Sequence, residues 1–271
     1  MWMRFYRVVY KFILSRRYRV TITGLDLLKK SGGNLILPNH QSHIDPQIVA
    51  VESVKYAEIV PVVNEKFFRI PVVKFFLRKW GAVSVSNFQS GNRDRNVLKN
   101  IFSNVISELK KGKTVIIYPS GHLQETGLEK INNKQSAYRI VADLPKNTSV
   151  IGLRISGLWG SSFSRAWNGK HPAFLSTFLK GIFYFFANLV FFCPKREVSL
   201  DFVDITEEAK KQALETRHSF NTYLEEFYNF EGLQKPVYIK HFFFFPKTNR
   251  MLPRSIIKKN EKITAQNVSI G

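Results

Sequence analysis

Short apolar runs alternate along the chain with longer segments in which apolar residues recur at helical spacing. The short runs are rich in β-branched residues and end at turn-forming or charged residues, which predicts strands. Seven strands are predicted, at Tyr18–Thr23, Asn34–Leu37, Glu58–Val63, Gly81–Val85, Thr114–Tyr118, Ser149–Ile155 and Glu197–Phe202. Helices are predicted between them, at Asp45–Val54, Glu65–Trp80, Asn96–Lys111, Gln135–Leu144 and Glu207–Phe227. This alternation predicts an α/β fold with a twisted, mostly parallel sheet flanked by helices.

The first 20 residues predict a further helix with one apolar face. They contain six basic residues and no acidic one. The apolar positions that follow helical spacing are Trp2, Phe5, Val8, Val9, Phe12 and Ile13. A basic amphipathic helix is typical of a segment that lies in the interfacial plane of a bilayer. An ordinary amphipathic helix packed on its own domain is the alternative.

A second apolar stretch covers Ala173–Cys193, and eight of its 21 residues are aromatic. A stretch of this length can cross a hydrocarbon layer of about 30 Å. Lys180 lies within it, and a lysine near the middle of a spanning helix costs about 2.5–3.5 kcal/mol on insertion. We therefore favour a segment that dips into one leaflet, with a true span and a buried core helix as alternatives.

The composition predicts an anionic partner. The chain has 41 Lys and Arg against 20 Asp and Glu, a net charge of +21, and such an excess attracts nucleic acid or an anionic membrane surface. The 24 phenylalanines favour the membrane surface. The single cysteine, Cys193, excludes an intrachain disulfide and a cysteine-based zinc site.

We divide the chain into three parts. Residues 1–20 form the predicted interfacial helix, and residues 21–245 form one domain that contains the dipping segment, residues 173–193. Residues 246–271 contain six basic residues after Pro246, one acidic residue and little apolar periodicity. We predict that this last part is a flexible basic tail that adds attraction to anionic lipid.

One loop carries a candidate catalytic pair. The buried strand Asn34–Leu37 leads into Pro38, and His40 and Asp45 follow five positions apart across the turn into the next helix. An Asp at this distance can bind one ring nitrogen of the His and leave the other nitrogen free to accept a proton near neutral pH. Asp45 is also well placed to cap the helix or to occupy its first turn, which is the structural alternative.

A second loop follows the buried strand Thr114–Tyr118. It reads Pro119, Ser120, Gly121 and His122. Pro and Gly favour a tight turn whose backbone N–H groups can face a ligand. A plain turn between a strand and a helix is the alternative.

Taken together, the two loops resemble those of the glycerolipid acyltransferases of the 1-acylglycerol-3-phosphate acyltransferase (PlsC-like) family. His40 and Asp45 match the family's His-x4-Asp signature, and Tyr118–Gly121 stands where the family has Phe-Pro-Glu-Gly. The resemblance continues through Thr126–Ile131 and Val150–Gly157. Leu158–Arg165 is most similar to the 2-acylglycerophosphoethanolamine acyltransferase branch. Roughly residues 20 to 230 are covered, and the family's fold is the α/β fold predicted above.

The sequence departs from the family's pattern where the acceptor would bind. Ser120 replaces the Glu of the third motif, and Asn87 stands where the second motif commonly has an Arg. Gly152 stands where the fourth motif usually has Pro. In the family, that Glu and that Arg are linked to binding of the acceptor's glycerol phosphate. The resemblance therefore implies a retained catalytic pair beside an altered acceptor pocket.

The resemblance implies acyl transfer from a thioester, either acyl-CoA or acyl-carrier protein, to the hydroxyl of a lysolipid. His40 would be the base and Asp45 would orient it, with no metal and no cofactor. Backbone donors in the Asn39–Ser42 turn, or near Gly121, are candidates to bind the oxyanion. The candidate substrate-binding residues are Asn39, Ser42, Asn87, Pro119, Ser120 and Gly121. We expect the enzyme on anionic lipid at the cytoplasmic face of the cell membrane, without nucleic acid.

Three other functions remain as alternatives. The acceptor could be a lysolipid that carries no glycerol phosphate, which the residues at Ser120 and Asn87 favour. The chain could instead be a catalytically silent membrane-binding protein. A nucleic-acid binder is suggested by charge alone, without any recognisable motif of that class.

Overall fold

The computed structural model describes residues 2–30, 32–69, 74, 77–78, 82–85, 95–245 and 247–268. Within these ranges the strands form one seven-stranded sheet in the order β1-β7-β6-β2-β5-β3-β4. The strands are β1 Tyr18–Thr23, β2 Gly33–Pro38, β3 Ile59–Asn64, β4 Val83–Val85, β5 Thr114–Ile116, β6 Thr148–Ser156 and β7 Arg196–Asp204. Neighbouring strands are parallel except β6 and β7, which are antiparallel. The predicted α/β fold with a mostly parallel sheet is confirmed.

The described helices complete the fold. They are α1 Trp2–Arg17, α2 Asp45–Ser53, α3 Glu65–Phe68, α4 Arg95–Lys110, α5 Ser136–Ala142, α6 Phe174–Ala187, α7 Thr206–Glu215, α8 Arg217–Tyr228 and α9 Arg254–Val268. Short 3₁₀ helices lie at Leu25–Lys29 and Arg165–Trp167.

Strand β2 lies at the centre of the sheet, and all six of its residues are buried. Leu35 and Leu37 pack into a core shared with α4, α5, α7 and α8, whereas Ile36 packs into a second core shared with α2. Alternate side chains of a strand point to opposite faces, so the two cores lie on opposite faces of the sheet. A strand buried on both faces reads as a continuous apolar run, which is why Asn34–Leu37 could be predicted.

The centre of the sheet also places the two predicted loops together. Strand β2 pairs in parallel with β5, with Ile36 opposite Ile116. Parallel neighbours end at the same edge of a sheet. The loop after Pro38 and the loop after Ile116 therefore leave side by side.

The long predicted helix Glu207–Phe227 is interrupted. The backbone of Thr216 is extended between α7 and α8, and its hydroxyl Oγ1 accepts the N–H of Ser219 at 3.0 Å. This is an N-cap, which begins a new helix with its first N–H groups satisfied.

Two other predictions fall partly outside the described residues. The predicted helix Glu65–Trp80 begins with α3, and Lys74, Leu77 and Arg78 are helical, but residues 70–73, 75–76 and 79–80 are not described. The predicted strand from Gly81 is observed as β4, and Gly81 itself lies outside the described residues.

The predicted flexible tail is wrong for residues 254–268, which form α9. Ile256 at its first turn is only 2% exposed and packs against Trp159 and Ala166. These apolar contacts hold α9 against the 3₁₀ helix Arg165–Trp167 and the segment after β6. The alternative of a buried core helix at Ala173–Cys193 is also wrong, since α6 has no buried residue. Across the described parts of the chain, none of the helices is both long and apolar enough to cross a bilayer.

Candidate active site

His40 and Asp45 meet in the loop that joins β2 to α2. The Nδ1 atom of His40 lies 3.1 Å from Oδ2 of Asp45. The Asp45 side chain is fully buried, and that of His40 is 14% exposed. The spacing that the sequence showed therefore brings the carboxylate onto the ring, as predicted.

The same carboxylate also organises the loop. Its Oδ2 atom accepts the backbone N–H groups of Gln41 at 2.7 Å and Ser42 at 2.9 Å. Asp45 is the first residue of α2, so the structural role that the sequence left open is present as well. A single side chain thus fixes the turn and orients the imidazole.

Burial sets the charges of the pair. It lowers the pKa of His40 to about 3, so the ring is neutral near pH 7. Burial also raises the pKa of Asp45, and the N–H groups of Ser42 and Gln41 oppose that rise by stabilising the carboxylate. With Nδ1–H donating to Asp45, the lone pair of His40 lies on Nε2. This is the state that a general base needs.

Two aromatic rings hold the imidazole of His40. The ring of Tyr118 packs against it with 4.4 Å between centroids, and the ring of His43 lies edge-on at 6.4 Å. Tyr118 ends the predicted strand that precedes the second loop. The two motif-bearing loops are therefore in contact.

The backbone donors of the Asn39–Ser42 turn and the N–H of Gly121 are already occupied, which corrects the expectation that these groups bind the oxyanion. In the first loop, Asn39 N–H bonds the carbonyl of Leu153 and His40 N–H bonds Glu129, while the next two donors serve Asp45. In the second loop, the N–H of Gly121 bonds the carbonyl of Tyr118 at 3.1 Å. These groups shape the loops.

The side chains of Asn39 and Ser42 are also used inside the protein. Asn39 exchanges two hydrogen bonds with the backbone of Ile155, at 3.0 and 2.7 Å. The hydroxyl of Ser42 lies 3.1 Å from that of Ser161. Both residues are buried, so this placement fits a positioning role, and their contact with a substrate stays a prediction.

The second loop places its predicted residues beside the pair. Pro119 and Ser120 are buried, and the Ser120 hydroxyl donates to the carbonyl of His122 at 2.9 Å. Gly121 is exposed with φ +62°, a left-handed conformation that favours glycine. Their contact with a substrate likewise stays a prediction. Asn87 lies outside the described residues.

Sequence reasoning missed the role of Glu129. This buried residue accepts the backbone N–H of His40 at 3.1 Å through Oε2, while its Oε1 atom has no partner. Burial raises the pKa of Glu129 to about 8, so the carboxyl is protonated near pH 7. Residues 40 and 129 are 89 positions apart, and no local pattern could have paired them.

Gln41 was missed as well. Its Oε1 atom accepts the N–H groups of Leu158 at 2.9 Å and Trp159 at 3.1 Å, and its amide donates to Gln234 at 2.5 Å. Gln41 therefore ties the loop to the segment after β6. As for metals, no cluster of three or more His, Cys, Asp or Glu side chains in the described ranges is arranged to hold an ion.

Comparison with known proteins places this geometry in a family. The family model described as Acyltransferase matches residues 19–156, just over half of the chain. No curated protein matches the sequence. Among solved structures, the chain is similar to the crystal structure of the 1-acyl-sn-glycerophosphate (LPA) acyltransferase PlsC from Thermotoga maritima.

That similarity has a TM-score of 0.50 at 18% sequence identity, and it covers 78% of this chain and 69% of the other. Similarity at such low identity shows a shared fold. The matched residues 19–156 include both motif-bearing loops. The predicted resemblance is confirmed, and the chain belongs to the acyltransferase family.

Proposed function

We propose that this enzyme is a membrane-associated acyltransferase that moves a fatty acyl group from a thioester to a lipid hydroxyl. The donor is acyl-CoA or acyl-carrier protein, and the acceptor is a lysophospholipid or 1-acylglycerol-3-phosphate. The observation that carries the proposal is the contact between the neutral His40 ring and the buried Asp45 carboxylate. Such a pair can activate a substrate hydroxyl without a serine or cysteine nucleophile.

The reaction moves one acyl group to the lipid hydroxyl and one proton from that hydroxyl to the leaving thiolate. Nε2 of His40 takes the hydroxyl proton while that oxygen attacks the thioester carbonyl carbon. The tetrahedral intermediate then collapses, the carbon–sulfur bond breaks, and the thiolate takes the proton back from the imidazolium. Asp45 stabilises the imidazolium while it exists. The products are the acylated lipid and the free thiol.

An exposed aromatic surface supports the proposal that the enzyme acts at a membrane. We call it the aromatic face, and three segments contribute to it: α1, the segment from α6 to residue 192, and residues 243–245. Its exposed apolar side chains are Val8, Val9, Phe12, Ile13, Leu175, Leu179, Ile182, Phe183, Phe186, Leu189, Phe191, Phe192, Phe243, Phe244 and Phe245. Contiguous exposed apolar surface of this kind marks an interaction site.

The three segments of the aromatic face are joined by direct contacts. The Arg16 guanidinium on α1 lies 5.8 Å from the ring of Phe191. Asn188 donates to the carbonyl of His241 and accepts the N–H of Phe243, both at 2.8 Å. The rings of Phe192 and Phe243 lie 5.6 Å apart. The face is thus one surface built from distant parts of the sequence.

Basic residues accompany the aromatic face. They include Arg16, Lys180, Lys195 and Lys240. Phosphate headgroups of an anionic leaflet would attract these side chains while the aromatic rings enter the acyl region. Since acyl-CoA and acyl-carrier protein are cytoplasmic, we place the enzyme on the cytoplasmic face of the cell membrane.

A row of rings leads from the aromatic face to the catalytic pair. Phe174 at the start of α6 lies 6.2 Å from His43 and 5.7 Å from Phe67. His43 lies 6.4 Å from His40. An acyl chain that lay along these rings would remain in lipid while its reactive end reached His40.

A transfer assay tests the proposal. Purified protein on anionic vesicles is given labelled acyl-CoA or acyl-carrier protein and a panel of lysolipids that includes 1-acylglycerol-3-phosphate. We expect acylation of a member of the panel and release of free thiol in equal amount. Absence of transfer from both donors, with vesicle binding retained, would support the silent membrane-binding protein instead.

A second acceptor class is favoured by one observation. Ser120 stands where the family has Glu, and its hydroxyl donates to the carbonyl of His122. An acceptor without glycerol phosphate would not need the missing carboxylate. Acylation of only such lysolipids in the same panel would support this class. We expect no nucleic-acid partner, and DNA binding tighter than vesicle binding would contradict that expectation.

A further inference from the structure

A second cluster of charged side chains lies near the catalytic pair. It consists of Glu125, Arg165, His171 and Lys259, and we call it the mouth cluster. Its members come from the second loop, the 3₁₀ helix Arg165–Trp167, the segment before α6, and α9. Four separate segments therefore converge beside the candidate active site.

Direct contacts hold the mouth cluster together. A terminal nitrogen of Arg165 donates to Oε1 of Glu125 at 2.7 Å and to Nε2 of His171 at 3.1 Å. Lys259 donates to the other oxygen of Glu125. Two cations thus share one carboxylate, and the cluster keeps a net positive charge.

The mouth cluster is close to the reacting nitrogen. The ring of His43 lies 6.4 Å from that of His40 and 6.5 Å from that of His171. The imidazole of His43 therefore lies between His171 and His40. Burial lowers the pKa of His171, and the neighbouring Arg165 guanidinium adds to that lowering.

The cluster also has unused hydrogen-bond donors. Nε of Arg165 is buried without a partner, although the side chain is 15% exposed. Because a guanidinium can only donate, Nε2 of His171 must accept, and its proton lies on Nδ1 as a further donor. A planar cation with free donors in a partly desolvated site suits a phosphate group.

We propose that Arg165 and His171 bind a phosphate group of a substrate, with Glu125 holding Arg165 in place. This inference rests on the proposed function of the same site. It supplies the anion recognition that Ser120 and Asn87 do not match in the family's pattern. The phosphate belongs either to the acceptor's headgroup or to the donor, since CoA and the carrier-protein arm both carry phosphate.

Direct binding tests the inference without turnover. Wild-type protein, Arg165→Gln and His171→Ala are titrated by calorimetry with glycerol 3-phosphate, with coenzyme A, and with glycerol as the phosphate-free probe. Arg154→Gln is the matched control, because Arg154 is also part-buried and paired with a carboxylate, Asp201, at 3.0 and 2.8 Å. Thermal unfolding of each variant shows that it is folded. His171 is exposed, so His171→Ala keeps the test valid if Arg165→Gln unfolds.

We expect each of the two site variants to bind a phosphate probe with an affinity at least about tenfold lower than that of the control variant. A loss confined to glycerol 3-phosphate assigns the site to the acceptor, and a loss confined to coenzyme A assigns it to the donor. The inference is overturned if wild-type protein binds neither probe better than glycerol, or if the site variants bind like the control.

The transfer assay separates this inference from the proposed function. Phosphate binding through Arg165 in a protein that transfers no acyl group would keep the subsite and reject the enzyme. Active transfer with unchanged phosphate binding in Arg165→Gln would reject only the subsite.

Discussion

His40 is 14% exposed, and burial is what lowers its pKa to about 3. A base must be neutral to accept a proton, and a group with a lowered pKa stays neutral as the pH falls. We therefore predict that kcat/KM for acyl transfer stays level as the pH is lowered through about 6.5, the ordinary value for histidine. Initial rates across this range test the prediction. A fall centred on the ordinary histidine pKa, in protein that is still folded, would contradict it.

Glu129 allows a second prediction at the scale of single residues. Burial raises its pKa from 4.5 to about 8, so folding takes up a proton at this site over that range. Its contribution to stability is complete below about pH 4.5 and is lost as the pH rises through about 8. Glu129→Gln removes this dependence while keeping the size and an acceptor for the His40 N–H.

We expect the free energy of unfolding of the wild-type protein to fall by about 2–3 kcal/mol more than that of Glu129→Gln between about pH 6 and pH 9. Urea unfolding of the two proteins at each pH gives the difference, and other titrating groups cancel. Parallel curves for the two proteins would show that Glu129 is ionised in the native state.

Sequence reasoning found the pair because both members lie in one loop, and proximity along the chain made their contact predictable. Glu129 and the mouth cluster could not be found this way. Arg165 is 40 positions from Glu125, and Lys259 is 134 positions from it. The fold brings such partners together, because strands distant in sequence end at the same edge of the sheet.

At the scale of elements, α8 holds the long irregular loop between β5 and α5. Asn229, just beyond α8, exchanges hydrogen bonds with the backbone of Glu129 at 2.8 and 2.9 Å. Asn221 within α8 binds the carbonyls of Asn132 and Lys134 at 2.7 and 2.8 Å. One helix thus fixes the loop at its middle, where Glu129 meets His40, and near its end.

We predict that Asn229→Ala lowers the transfer rate more than Asn221→Ala does. Each change removes two hydrogen bonds, and we expect each to destabilise the protein by about 1–3 kcal/mol. Only Asn229 supports the residue that contacts His40. Unfolding curves and transfer rates of both variants test this. Equal losses of rate at equal stability would show that the middle of the loop has no special role.

Elements whose residues are fully buried were predicted well. Elements whose existence or bounds depend on a few contacts were predicted poorly. Strand β2 matches the predicted apolar run because all six of its residues are buried. The break at Thr216 depends on one side-chain cap, and α9 depends on the contacts of Ile256. Neither feature changes the apolar pattern enough to be read from sequence.

At the scale of the whole molecule, the aromatic face joins segments that the sequence showed only in part. Residues 1–20 were predicted to meet the membrane as a basic amphipathic helix, and residues 173–193 as a long apolar stretch. Residues 243–245 were not, since a short run of phenylalanines carries no periodicity. The contacts of Asn188 with His241 and Phe243 bring that run to the face.

We predict that Phe244→Asp weakens binding to anionic vesicles about tenfold, because a buried Phe contributes roughly 1.5–3 kcal/mol. Phe244 is 75% exposed. Leu214→Asp is the matched control, since Leu214 is 83% exposed and lies on α7, outside the aromatic face. Co-sedimentation with vesicles measures both. Equal binding by the two variants would show that the aromatic face does not contact lipid.

The proposed mechanism depends on His40 as the proton acceptor, and replacing His40 tests it most directly. Single-turnover transfer is measured for wild-type protein, His40→Ala, Asp45→Asn and, as the neighbouring imidazole, His43→Ala. We predict that His40→Ala lowers the rate about 10²–10⁴-fold while the protein stays folded, and that His43→Ala has a smaller effect. A wild-type rate in folded His40→Ala would contradict the assignment of His40 as the base.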